Sequence, residues 1–477
     1  MSNDSRISRR ALIGSGASIA VSALALNTAA AQGRNASPLI RGGNGPHDLL
    51  GHEGPARRPA HATRGSWQLP AHDLAATRDG GALDGARVRW RATFRGGVPA
   101  SAAVLGGVVY AASADGVVSA LALADGRAKW QTALGTAKYG SGDDVRQLGF
   151  FSGVALAGSH VIVASDRARA LDARTGRVRW ATKPLRSATS DDYFWGLPVV
   201  SGGIVLVGSG SGAELPTARG RLTAYRLRDG RLLWSTATVP EGANGGGLIG
   251  PVSVDPRAGL AYAATGSPYE AVPGDNPGTC SLIALRLRDG TVVWQDQVHP
   301  ADTQGFDFNS APVIVGRRLI ATAKDGVYAW DRVRRKRIWH VQLTDPLAGG
   351  LPSAGPTGGP EGGPIATDGH SAFVLSNDID SGGCVAAAVA VATGKVRWRT
   401  PLPAPTFAAP ALAASRTLCV AGSDGTLRLL DTVHGRVLSE TALGEPSAAA
   451  PAIGGGRLVV GTGAQPFIPG ESLVCVG

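Results

Sequence analysis

The sequence predicts an all-β fold, an eight-bladed β-propeller closed between its two ends. Three observations carry this. A Gly-x-x-x-Trp phrase recurs along the chain, β-type runs flank each copy, and one tryptophan near the start has a strand but no upstream partners.

The phrase reads Asp125-Gly126 to Trp130, Thr175-Gly176 to Trp180, Asp229-Gly230 to Trp234, Asp289-Gly290 to Trp294 and Thr393-Gly394 to Trp398. Blurred copies are Asp84-Gly85 before Trp90, Arg335 before Trp339, and His434-Gly435 before Ser439. Asp-Gly between hydrophobic runs is a hairpin turn signal, because Gly accepts the positive φ that such turns need. Val104 to Ala112 turns at Asp115-Gly116 into Val117 to Leu123, and then at Asp125-Gly126 toward Trp130. That is strand, turn, strand, turn, strand, with no room for a helix. Copies recur every ~40–60 residues, about one four-stranded blade. An indole at a fixed place buries roughly 150–250 Å² and can wedge blade against blade. After the copy at Ser439, residues 450–477 supply about three strands, so the strand around Trp90 is expected to complete the last blade and close the ring. An open array or a pair of sandwiches would leave both ends incomplete.

The chain of 477 residues carries a formal net charge of +11. Arg226, Arg228, Arg334, Arg335 and Arg337 sit at strand ends and turns, not in one basic arm. A nucleic-acid partner is not expected, because the N-terminus reads as an export signal. Ser8-Arg9-Arg10-Ala11-Leu12-Ile13 is a twin-arginine phrase, Ala11 to Leu26 is weakly apolar, and Ala29-Ala30-Ala31 offers a cleavage site. Residues 1–31 are therefore expected to be a signal peptide, leaving no stable membrane span and an extracellular, periplasmic or cell-wall location. Residues 32–66 read as a flexible Gly/Pro-rich leader. His47, His52, Glu53 and His61 within it are not expected to hold a metal, because the tract is polar and aperiodic. The propeller is expected over 67–477. Asp345 to Gly363 reads as a long loop over the channel mouth. Cys280, Cys384, Cys419 and Cys475 carry neither a haem-attachment nor a zinc spacing. A Cys419–Cys475 bond and four buried thiols both remain open.

Ala170 to Trp180, ALDARTGRVRW, resembles the quinoprotein phrase Ala-x-Asp-x-x-Thr-Gly-x-x-x-Trp. Scaffold proteins of outer-membrane assembly share it, so it specifies fold and not chemistry. More specifically, Trp67 to Arg78, Gly210 to Tyr225, Gly259 to Pro268 and His299 to Pro312 resemble segments of PQQ-dependent alcohol and polyvinyl-alcohol dehydrogenases. The resemblance implies PQQ and Ca²⁺ in the funnel, an alcohol substrate, and an external electron acceptor such as a cytochrome c. It also implies site residues. Glu214 stands at the calcium Glu, and Lys324 at the cation that contacts the quinone. Ser267 replaces the calcium Asn, and Ile249 the stacking Trp. With the family's Trp-Asp-Tyr-Asp set against Gln304-Gly305-Phe306-Asp307, Gly305 falls at the catalytic Asp. Asp307, on the same face of an extended segment, or Asp302 would then have to substitute. Asp307 is the expected base and, with Glu214 and Ser267, a calcium ligand. Where some members carry adjacent cysteines the chain reads Gly149-Phe150-Phe151-Ser152. Because of these departures, the alternative expectation is a non-catalytic propeller that binds or scaffolds with an eroded site.

Overall fold

A computed structural model describes residues 66–477 apart from 141–144, 186–190, 213–217, 270–275, 303–305, 309, 346–364, 379–380 and 466. The expected signal peptide, nearly all of the leader and most of the Asp345–Gly363 loop lie outside the described residues. Among the described residues there is no helix. The strands form eight four-stranded antiparallel blades, at 103–133, 155–181, 199–237, 253–297, 313–341, 365–402, 411–442, and 452–476 joined by 88–93. We number them 1 to 8 in that order. The last confirms ring closure: Val88–Thr93 pairs antiparallel with Ser472–Val476, and Trp90 lies opposite Cys475.

The recurring phrase explains how the blades are joined. Apart from Trp90, which faces Cys475, each repeat indole faces an alanine across its own sheet, as Trp130 does Ala120 and Trp234 does Ala224, and the register then slips by one residue. The small alanine leaves space, and the bulge re-aims the strand. Each indole then reaches the next blade. Trp90 Nε1 donates to the Leu123 carbonyl at 2.8 Å, Trp130 to Ala173 at 3.0 Å, and Trp180 to Leu227 at 2.7 Å. Trp234, Trp339 and Trp398 do the same to Leu287, Val391 and Thr432. The ring lies flat on the glycine of the neighbour's turn: a Cβ added at Gly230 would sit 2.7 Å from Trp180, and one at Gly290 2.4 Å from Trp234.

Two joints depart from this, as the blurred copies foretell. Between blades 7 and 8 the tryptophan is Ser439, and Thr441 Oγ1 bonds the Ala86 carbonyl at 2.5 Å. Between blades 4 and 5 the turn glycine is Arg335, held at a left-handed φ of 58°. There Trp294 Nε1 is buried with no hydrogen-bond partner. Polar contacts close this joint: Asp296 accepts from Trp330 Nε1 at 2.6 Å and pairs with Arg337 at 2.8 Å, and Asp255 pairs with Arg332 at 2.6 Å.

The segment 67–80 crosses the central channel. It hydrogen-bonds the innermost strands of blades 1, 2, 4, 5, 6 and 7 through Val104, Leu156, Val254, Ile314, Thr367 and Leu412. Trp67 and Arg78 are fully buried within it. His72, Ala76 and Arg78 adopt φ of 74°, 60° and 56°, so the strap is bent through conformations that non-glycine residues rarely take. The four cysteines are free and buried; no Cys419–Cys475 bond forms.

Candidate active site

Four loop ends of blades 4 and 5 meet at one side of the strap. Ser267 follows strand Leu260–Ala264, Cys280 precedes Ser281–Arg286, Asp307 precedes Val313–Val315, and Lys324 follows Arg318–Ala323. These positions are where a blade hands the chain from one strand to the next, and Cys280, Asp307 and Lys324 are buried there.

Asp307 is the hub. Its Oδ1 accepts the Ser267 amide at 2.6 Å and also the Ser267 hydroxyl. Its Oδ2 lies 3.3 Å from Lys324 Nζ, and both side chains are almost wholly buried. Phe308 beside it is buried and bridges to Ala323, which fixes the segment against the turn carrying Lys324. Asp307, the substitute base of the sequence reading, thus lies beside Lys324 and Ser267. Gly305 itself and Glu214 lie outside the described residues.

Ile249 stands on the adjoining loop. Two residues before it, the Gly247 carbonyl accepts the Gly266 amide at 2.9 Å, which joins this loop to that of Ser267. The Ile249 side chain is half-buried and packs on an apolar cluster with Tyr139, Phe151, Tyr193, Trp195 and the partly exposed Phe467. Tyr193 and Trp195 meet edge to face at 4.6 Å, and Phe151 lies 5.8 Å from Trp195. The wall beside Ile249 is thus aromatic, although the position itself is aliphatic.

The sequence reading missed two features of this site. Asp302, considered there only as a substitute base, is buried and accepts the Phe306 amide at 2.9 Å. Cys280, read only for disulfides, donates its thiol to Asp302 at 3.3 Å. Burial, with Asp302 and Asp307 close by, pushes this thiol well above its ordinary pKa, so it stays protonated and able to donate. A signal was present: Thr279-Cys280 follows a Gly that ends a Pro-rich loop, where a chain reversal is expected.

Comparison with known proteins agrees with this architecture. The family PQQ_2, described as outer membrane protein assembly factor BamB, matches residues 76–149, 140–352 and 327–470. Quinohemoprotein alcohol dehydrogenase ADH IIB of Pseudomonas putida is 31% identical over 238 residues, 42% of this chain and 33% of that protein. BamB of Bordetella pertussis is 26% identical over 367 residues, 75% of this chain and 79% of that protein. Among solved structures, a europium-containing methanol dehydrogenase superposes with a TM-score of 0.71 at 19% identity, covering 87% of this chain and 98% of that one. The match spans only about a third of the length of the alcohol dehydrogenase relatives. Repeat, ring and family match together make this chain a member of the PQQ_2 family, an eight-bladed propeller of the quinoprotein alcohol dehydrogenase type to which BamB is also related.

Proposed function

We propose that the protein is an exported quinoprotein oxidoreductase that oxidises an alcohol at the end of its channel and passes the electrons to an external acceptor. The observation that carries this reading is the convergence of Asp307, Lys324 and Ser267, drawn from three separate segments. The donor set suits the implied groups. Ser267 and Asp307 offer hard oxygens of the kind Ca²⁺ takes, Lys324 supplies a cation, and Ile249 with its aromatic neighbours supplies an apolar wall for a flat ring. PQQ, when bound, supplies the two-electron acceptor chemistry.

This chain's residues do the rest. Asp307 takes the alcohol proton on a carboxylate oxygen. Lys324, 3.3 Å from Asp307 Oδ2, orients that carboxylate and would set a positive charge beside the bound acceptor. Ser267 fixes the orientation of Asp307 through two hydrogen bonds, and Glu214 would complete the calcium ligands. Burial keeps water from competing for these contacts. Export by the twin-arginine route fits such a ring; no helix among the described residues is long and apolar enough to cross a membrane.

Titration of the purified protein with PQQ in the presence of Ca²⁺ tests the reading. Binding, with dye-linked alcohol oxidation lost in Glu214→Ala and Lys324→Ala, is expected. No binding at high micromolar PQQ overturns it in favour of a second reading, a non-catalytic propeller that binds a macromolecule. That reading is supported by the likeness to BamB, which covers 79% of that relative against 33% for the alcohol dehydrogenase.

A further inference from the structure

Asp307 is gripped from two sides. On one side the Ser267 amide and hydroxyl reach Asp307 Oδ1. On the other the chain arrives through Phe306, whose amide is tied to Asp302. One residue touches both arms. The Cys280 amide donates to the Gly266 carbonyl at 3.0 Å, beside Ser267. The Cys280 thiol donates to Asp302 Oδ2 at 3.3 Å, the same oxygen that accepts from Phe306. Its own carbonyl accepts the Val298 amide at 3.0 Å, which fixes the residue to the outer strand of blade 4.

Cys280 holds this place in an unfavourable backbone conformation. Its φ is 45°, in the left-handed region where glycine is at ease and a side chain is not. It is fully buried. A glycine would satisfy the backbone here and supply the same amide, but it would leave Asp302 without the thiol. Strain retained at a buried position beside a candidate site points to use of the side chain.

We infer that Cys280 is a positioning residue, which links the Ser267 arm to the Asp302–Phe306 arm and so sets the placement of Asp307. This rests on the reading of Asp307 as the proton acceptor, but its structural half does not.

Cys280→Gly and Cys280→Ser separate placement from folding. Gly removes the left-handed strain but also the buried thiol and its bond to Asp302, effects of similar size and opposite sign, so the protein should still fold, with a melting temperature within several degrees of the wild type. Ser keeps a donor toward Asp302. Without any cofactor, amide hydrogen exchange in the segments around Phe306 and Ser267 should be about five- to tenfold faster in Cys280→Gly, the factor that one lost hydrogen bond corresponds to. It should return toward wild type in Cys280→Ser. With PQQ and Ca²⁺, kcat for an alcohol should fall by up to about a hundredfold in Cys280→Gly with KM little changed, as for a reacting group displaced by a fraction of its reach. Unaltered exchange in both segments of Cys280→Gly overturns the inference. Altered exchange in a protein that binds no PQQ leaves the positioning intact and overturns the enzymatic reading alone.

Discussion

Lys324 Nζ lies 3.3 Å from Asp307 Oδ2, with 1% and 5% of the two side chains exposed. At that depth the pair is worth little as a net attraction, but either partner alone is a buried charge. Lys324→Ala should therefore destabilise the protein by about 3–5 kcal/mol, and the double variant Lys324→Met with Asp307→Leu by much less. Urea unfolding of the three proteins at neutral pH checks this. Equal losses in the single and double variants would show that the pair is not coupled.

The blade joints make a steric prediction. Gly230 and Gly242 both have positive φ, at 70° and 82°, but only a Cβ on Gly230 meets an indole, 2.7 Å from Trp180. Alanine at either position costs about 1–2 kcal/mol for the left-handed backbone. At Gly230 a further ~1–3 kcal/mol is expected from forcing the Trp180 indole out of its seat. Comparing the two variants by thermal unfolding isolates the second effect.

Arg335 offers the reverse case. It occupies the turn position that glycine fills at six other joints, at a φ of 58°, and the facing indole of Trp294 has no hydrogen-bond partner. Arg335→Gly should raise stability by about 0.5–1 kcal/mol, the left-handed penalty less the added freedom of glycine in the unfolded chain. A rise in the urea midpoint with an unchanged slope is the expected result.

Acid should loosen the strap. Burial pushes the Asp73 pKa up, but the His72 ring 3.7 Å away and two bonds from Thr77 outweigh burial and leave it below its usual value. Thr77 donates to Asp73 through its amide at 3.0 Å and its hydroxyl at 2.5 Å. A carboxylate with a depressed folded pKa stabilises the fold above its unfolded value near 4 and loses that contribution as the pH falls through the folded value. Asp73→Asn should thus be less stable than wild type at pH 7, and the gap should narrow as the pH falls below the unfolded value and close below the depressed folded one. A gap that does not narrow at all as the pH is lowered from 7 through the acid range would contradict this account.

The ring was legible in the sequence because its cause is local and repeated. A turn glycine, an alanine opposite, and a tryptophan at fixed spacing each act within a few residues, so the eight blades and the closing strand at Trp90 could be read from order alone. Even the weak joints were visible, as Arg335 in place of glycine and Ser439 in place of tryptophan. Glu214, Ser267, Ile249, Asp307 and Lys324 could be picked out as residues by resemblance. Which of them meet could not, because contact across 17 to 40 residues of chain depends on where neighbouring blades end. The fold decided that Asp307 faces Lys324 and Ser267, that Trp67 to Gly80 crosses the channel, and that Cys280, which local sequence marks only as a turn, touches both arms of the site. Sequence alone determined the repeating joint. The tertiary structure decided which irregular loops share a pocket, because only the closed ring brings their ends to one place.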